Sequence, residues 1–122
     1  MAFAERFEDL KVWQESRALV KGIYQSMNKT RDYSFRDQIQ RATLSVMNNI
    51  AEGFERKTRK DFAHFLDLAK GSAGEVRSML YAAQDLRYIE PNQADAFRLR
   101  FEQLATSIGS LASRLRKADA NK

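Results

Sequence analysis

The chain has 122 residues, 43% of them apolar and 30% charged, and a net charge of +5. That is one domain with enough apolar mass for a core, and too ordinary a composition for wholesale disorder. One proline and five glycines leave too few turns for an all-β sandwich or barrel, and the lack of cysteine excludes disulfides, thiol nucleophiles and thiolate metal sites.

Residues 1–9 read as a short N-terminal tail, with Asp9 placed to cap a helix over 10–28. Leu10, Trp13, Val20, Tyr24 and Met27 recur at helical steps, and Val12, Leu19 and Ile23 add a second apolar strip. Two strips on one helix, with aromatics such as Tyr24 expected to be exposed, predict more neighbours than one core supplies, a second subunit among them. The polar run 29–34 ends this helix. Ser34 with Asp37 resembles a shortened capping box opening a helix over 35–55, whose buried face is Phe35, Ile39, Ala42, Val46, Ile50 and Phe54.

Arg56-Lys57-Thr58 forms a tight connection, and Thr58 with Asp61 repeats the cap signal. A third helix follows over 59–88. It contains Gly71 and Gly74, for which close approach of a neighbouring backbone is the expected reason. Glu90-Pro91-Asn92 breaks the chain. In the fourth helix, 92–117, Ala94, Phe97, Phe101, Leu104, Ile108, Leu111 and Leu115 alternate steps of three and four, a heptad seam. Residues 118–122 read as a C-terminal tail. Long helices joined by short loops predict an all-α fold over 10–117, an antiparallel up-down-up-down four-helix bundle.

The chemistry-bearing residues are few. The single histidine, His64, stands in Asp61-Phe62-Ala63-His64, one copy of a spacing that a di-metal bundle needs twice along with further glutamates. No metal or other cofactor is expected. Gly71-Ser72-Ala73-Gly74 lacks the Gly-Lys-Ser/Thr ending of a phosphate loop and follows a helix instead of a strand. No Ser-His-acid arrangement is indicated, so no catalytic residue is assigned and an enzyme is not expected. On the second helix, polar residues are interleaved with the apolar ones. Arg41, Asn49 and Glu52, with Glu75 on the third helix, are expected to form a structural polar network that fixes helix register. A ligand site is the competing reading of the same residues.

The four successive segments 1–28, 29–60, 61–90 and 91–122 carry net charges of 0, +4, −2 and +3. In the expected topology the connection between the second and third helices shares a pole with the end of the fourth. Arg56, Lys57, Arg59 and Lys60 then gather near Arg114, Arg116, Lys117 and Lys122, partly offset by Glu5, Glu8 and Asp9. A basic pole suits RNA; a solvated surface is the alternative, with α-helical dipole complementarity accounting for the last group but not for cations at a helix start. No run approaches the roughly 20 apolar residues of a membrane span, and the first residues show no secretory signal, so no membrane partner and a cytoplasmic location are expected.

The motifs Gln38-Ile39-Gln40-Arg41-Ala42 and Asn49-Ile50-Ala51-Glu52-Gly53 resemble the signature of the four-helix-bundle proteins encoded within intervening sequences of 23S ribosomal RNA genes. Asp9-Leu10-Lys11-Val12-Trp13-Gln14 resembles that family's opening. Arg56, Thr58, Phe62, Phe65-Leu66, Ala69, Gly71-Ser72 and Glu75 fit its later positions. The chain departs from the pattern at Val46-Met47-Asn48 and at Asp32-Tyr33-Ser34-Phe35, which puts the shape of the first loop in question. The resemblance implies an antiparallel bundle assembled as a cyclic homopentamer and, through the genetic setting, a relation to ribosomal RNA. Reverse-transcriptase accessory bundles are related to that family in fold, an analogy at the level of the fold. The resulting expectation is a non-enzymatic oligomer that binds RNA through its basic pole, or else a protein-interaction scaffold or accessory subunit.

Overall fold

Helical periodicity in the sequence becomes four helices in the computed structural model, which describes residues 4–120. A single 3-10 turn, Phe7–Asp9, precedes α1 (Lys11–Met27), α2 (Tyr33–Phe54), α3 (Arg59–Asp85) and α4 (Pro91–Ala120). Among the described residues there is no strand. Residues 1–3 and 121–122 of the two expected tails lie outside the described residues, as does Lys122.

The helix ends show which local signals prevail. Asp9 does not cap α1. It belongs to the 3-10 turn, and buried Leu10 takes the cap position with no side-chain bond, its carbonyl accepting from the Trp13 and Gln14 amides at 3.1 Å each. Ser34 and Asp37 form no capping box, because α2 begins two residues earlier than expected. Asp32 is the cap, its Oδ1 accepting from the Phe35 amide at 3.1 Å. The Tyr88 hydroxyl donates to Asp32 Oδ2 at 2.8 Å, and the Phe35 and Tyr88 rings meet edge to face at 5.4 Å. The first loop is therefore tied to the third. Thr58 caps α3 through a bond from the Asp61 amide at 3.1 Å. That helix ends three residues before the expected boundary. Arg87 adopts φ 64°, its amide reaching Gln84 O and the Tyr88 amide reaching Ala83 O, which closes a Schellman turn. α4 starts on Pro91, where a missing N–H costs nothing, and continues to Ala120.

The core draws on every helix: Leu19, Ile23 and Met27 from α1, Ile39, Val46 and Ile50 from α2, Leu66, Val76 and Leu80 from α3, and Phe101, Ile108 and Leu115 from α4, all essentially inaccessible. Full burial of each such side chain contributes about 1.5–3 kcal/mol before entropy is counted. Val12, Leu19 and Ile23, the second strip of α1, are buried within this one chain. The strip therefore does not call for a second subunit, because α2, α4 and the 3-10 turn already cover it; Tyr24 stays partly exposed. Buried Ser16 and Thr43 return their hydroxyls to the Val12 and Ile39 carbonyls one turn back.

Contacts between helices fix the register. The Ser45 and Ser72 hydroxyls meet at 3.0 Å between α2 and α3. Between α3 and α4, Arg77 faces Glu102 at 3.8 Å and Asp67 faces Arg116. Between α1 and α4, Arg100 pairs with Glu15 at 2.8 Å and Gln93 Nε2 donates to Ser26 Oγ at 3.1 Å.

The close approach of helices falls on other glycines than Gly71 and Gly74: Gly22, where a Cβ would stand 2.8 Å from Phe97 Cε1, and above all Gly53. A Cβ on Gly71 or Gly74 would meet nothing within 4 Å, since both face away from the core. A Cβ on Gly53, near the end of α2, would stand 2.7 Å from Phe65 Cβ and 3.0 Å from Phe62 Cδ1. Gly53→Ala should destabilise the fold by about 1–3 kcal/mol through overpacking. Gly71→Ala should stabilise it by about 0.5–1 kcal/mol, since alanine is the better helix former where space is open. Urea melts of the two variants check the contrast.

Candidate nucleic-acid interface

The connection of residues 55–58 and the first two residues of α3 bring four cations, Arg56, Lys57, Arg59 and Lys60, into a short stretch beside the last turns of α4. Arg59 Nη1 lies 3.6 Å from Asp119 Oδ1, and Lys57, Thr58, Arg59 and Asp119 line a crevice of about 580 Å³. The helix-start dipole of α3 adds positive potential there, which Asp61 in the first turn and Asp119 on α4 offset in part.

The seven candidate cations differ in how they are held. Arg56 is exposed, its guanidinium 4.9 Å from the centroid of the Phe65 ring. Lys57, Lys60 and Lys117 are exposed. Arg59 is half-buried against Asp119. Arg116 makes a two-pronged pair with Asp67, Nη1 to Oδ1 at 3.3 Å and Nη2 to Oδ2 at 2.5 Å. That guanidinium, through its hydrogen bond, holds the Asp67 carboxyl below the usual carboxylate range. Because the folded value is depressed, the pair supports the fold above the unfolded carboxylate range and is lost as acid protonates the folded carboxyl. Arg114 lines a groove of about 510 Å³ between the start of α1 and α4, together with Asp9. Of the N-terminal acids, Asp9 thus reaches the pole's edge, while Glu8 is paired with Arg6 at 2.6 Å.

The expected polar network is placed differently. Arg41, Glu52 and Glu75 are exposed, and among the described residues none of them has an ion-pair partner. Arg41 and Glu75 line one open groove of about 520 Å³ with Ser34, Gln38, Ala42, Ser45 and Ser72. Glu52 is not part of that groove's lining. Asn49 is half-buried, and its Nδ2 donates to Ser45 O at 2.8 Å and to Ser45 Oγ at 2.9 Å. Ser45 Oγ accepts from Asn49 and shares a hydrogen bond with Ser72 Oγ in which either hydroxyl can donate. The inter-helix polar ladder runs Asn49, Ser45, Ser72, and does not pass through the three charges. Their exposure is legible from spacing: each lies off the apolar face of its helix.

His64 is exposed, its ring edge-on to Phe65 at 5.9 Å. Among the described residues no group of three or more His, Cys, Asp or Glu side chains could hold a metal ion, and no helix is long and apolar enough to cross a membrane. The residues that sequence reading left out of the site are Phe65, Asp67 and Asp119. Phe65 enters the sequence analysis only as a family match, and the two acids carry no sequence signal, since their partners lie 49 and 60 residues away.

A family model described as 23S rRNA-intervening sequence protein matches residues 8–110. Among solved structures, the chain is similar to a protein of unknown function from the S23 ribosomal protein family of Bacteroides thetaiotaomicron. The identity is 23% and the TM-score 0.77, over 83% of this chain and 97% of that one. At that identity the likeness concerns the fold alone. No curated protein matches.

Since Glu52 is exposed and outside the ladder, Glu52→Ala should change stability by no more than about 0.5 kcal/mol. A loss of about 3–5 kcal/mol in a urea melt, the cost of orphaning a buried ion-pair partner, would restore the buried-network reading.

Proposed function

This chain belongs to the 23S rRNA-intervening sequence protein family, and on that premise we propose that it is a non-enzymatic helical bundle that binds RNA through its basic pole. The four helices run antiparallel, up-down-up-down, in this reading, which the pairing of Ser45 with Ser72, Gly53 with Phe65, Glu102 with Arg77 and Arg116 with Asp67 supports. The observation that carries the function is the meeting of the 55–58 connection with the end of α4, expressed in the Arg59–Asp119 contact. Residues 1–9, 54–60 and 114–122 together carry nine basic and five acidic side chains, a net +4.

The family resemblance suggests a cyclic homopentamer. A ring repeats the pole five times around one axis, so weak single contacts add through avidity wherever one RNA reaches several copies. Binding is then mostly electrostatic and weakly sequence-specific. Most of the described rings pack in or against the core, so among the described residues no platform is seen on which successive bases stack. The second reading is a protein-interaction scaffold or accessory subunit. It is favoured by the Arg59 and Arg116 pairs, which leave part of the pole's charge internally balanced.

RNA affinity should fall steeply with salt, with a log–log slope that counts displaced counterions. Exchanging Arg56, Lys57, Arg59 and Lys60 for Gln should flatten the slope and leave helicity intact. A fluorescence titration at about 50 mM salt and above measures both, and light scattering on the same sample should give a mass near five times 14.1 kDa. Equal binding by wild type and variant, or binding by neither, supports the scaffold.

A further inference from the structure

Gly53 sets up the geometry. Without a side chain there, α3 lies close against α2, and Phe65 Cβ occupies the space a larger residue would need. Phe62, one turn earlier, points inward and meets Phe54 edge to face at 5.8 Å. Phe65 stays half-buried at the rim. Its ring is thereby fixed directly beneath the connection that carries the cations, and the Arg56 guanidinium rests on it at 4.9 Å.

That seat distinguishes Arg56 from Arg59, Arg116 and the three lysines of the pole. Arg59 and Arg116 face carboxylates of their own chain. Lys57, Lys60 and Lys117 are point charges on flexible stems. Among the described residues Arg56 has no carboxylate partner, and a ring face holds a guanidinium without using any of its N–H groups. The stacked group is pre-oriented, and its donor edge stays open for two oxygens of one phosphate, a geometry an ammonium cannot reproduce. Three other arginines rest on rings, Arg17 on Trp13, Arg36 on Tyr33 and Arg98 on Tyr81, but they lie on α1, at the start of α2 and on the α3–α4 seam.

We infer that Arg56, seated on Phe65, is the contact that orients the phosphodiester backbone of a bound RNA at this pole, with Phe65 as its positioning residue. The inference rests on the RNA reading above and goes beyond it. A purely electrostatic pole depends on the number of charges, whereas this one also depends on how a single guanidinium is held.

Substitutions that conserve charge separate the two. Arg56→Lys and Phe65→Leu leave the net charge unchanged, so the log–log salt slope should stay that of wild type. Affinity for a fluorescein-labelled RNA of about 20 nucleotides should fall about three- to fivefold in each variant. The double variant should be no weaker than about the weaker single one, because both remove the same interaction. Phe65→Tyr, which keeps the ring face, should bind like wild type and guards against a folding artefact of Phe65→Leu; thermal melts accompany all variants. If wild type binds with the expected salt slope while Arg56→Lys or Phe65→Leu binds equally well, the Arg56 inference is overturned and the electrostatic pole stands. If wild type does not bind, both readings fail together.

Discussion

The pole of the bundle depends on the approach of α3 to α2 at Gly53. A single methyl group there would collide with the backbone-proximal part of Phe65 and with the Phe62 ring. Because Phe65 Cβ is fixed by the main chain, a rotamer change cannot relieve that clash, and the helices themselves would have to shift. Several features follow from the contact. It seals Phe62 against Phe54, and it lets the 55–58 connection be short enough for Thr58 to cap α3 directly after α2 ends. It also sets Phe65 beneath Arg56. A packing contact in the core thus determines where the positive charge of the pole is aimed.

Much of this fold was legible in the sequence, and the reasons are local. The unbroken three-and-four spacing from Ala94 to Leu115 leaves one way to bury α4, and that face is the buried one. Thr58 followed by Asp61 is a cap because both partners lie within one turn. What was not legible depends on distant residues. Asp32 prevails over Ser34 as the α2 cap, and it is also held by Tyr88, 56 positions away. The glycine that matters was misassigned for a similar reason. Gly71 and Gly74 draw attention inside a long helix, yet which helical face meets a neighbour is decided by packing, and Gly53 is on that face.

The candidate site divides in the same way. Clustering of Arg56, Lys57, Arg59 and Lys60 is a property of the sequence, and their neighbourhood to the end of α4 follows from topology. Which of the cations is neutralised is a matter of side-chain placement: Asp119 and Asp67, each on another helix from its partner, take up Arg59 and Arg116. The polar residues of α2, with Glu75 of α3, show the converse case. Their interleaving with apolar positions suggested burial, but Arg41, Glu52 and Glu75 lie far enough off the apolar face to remain solvated, and only Asn49 enters a bond ladder with Ser45.

The central claim is that RNA is met at one pole of the bundle. Amide hydrogen exchange of the full chain, with and without a single-stranded RNA at low salt, tests it most directly. The account predicts that slowing on RNA addition concentrates at residues 54–60 and 114–120, and is absent from the opposite pole at residues 29–36 and 86–91. Protection centred on that opposite pole, or on the Arg41–Glu75 groove, would contradict it.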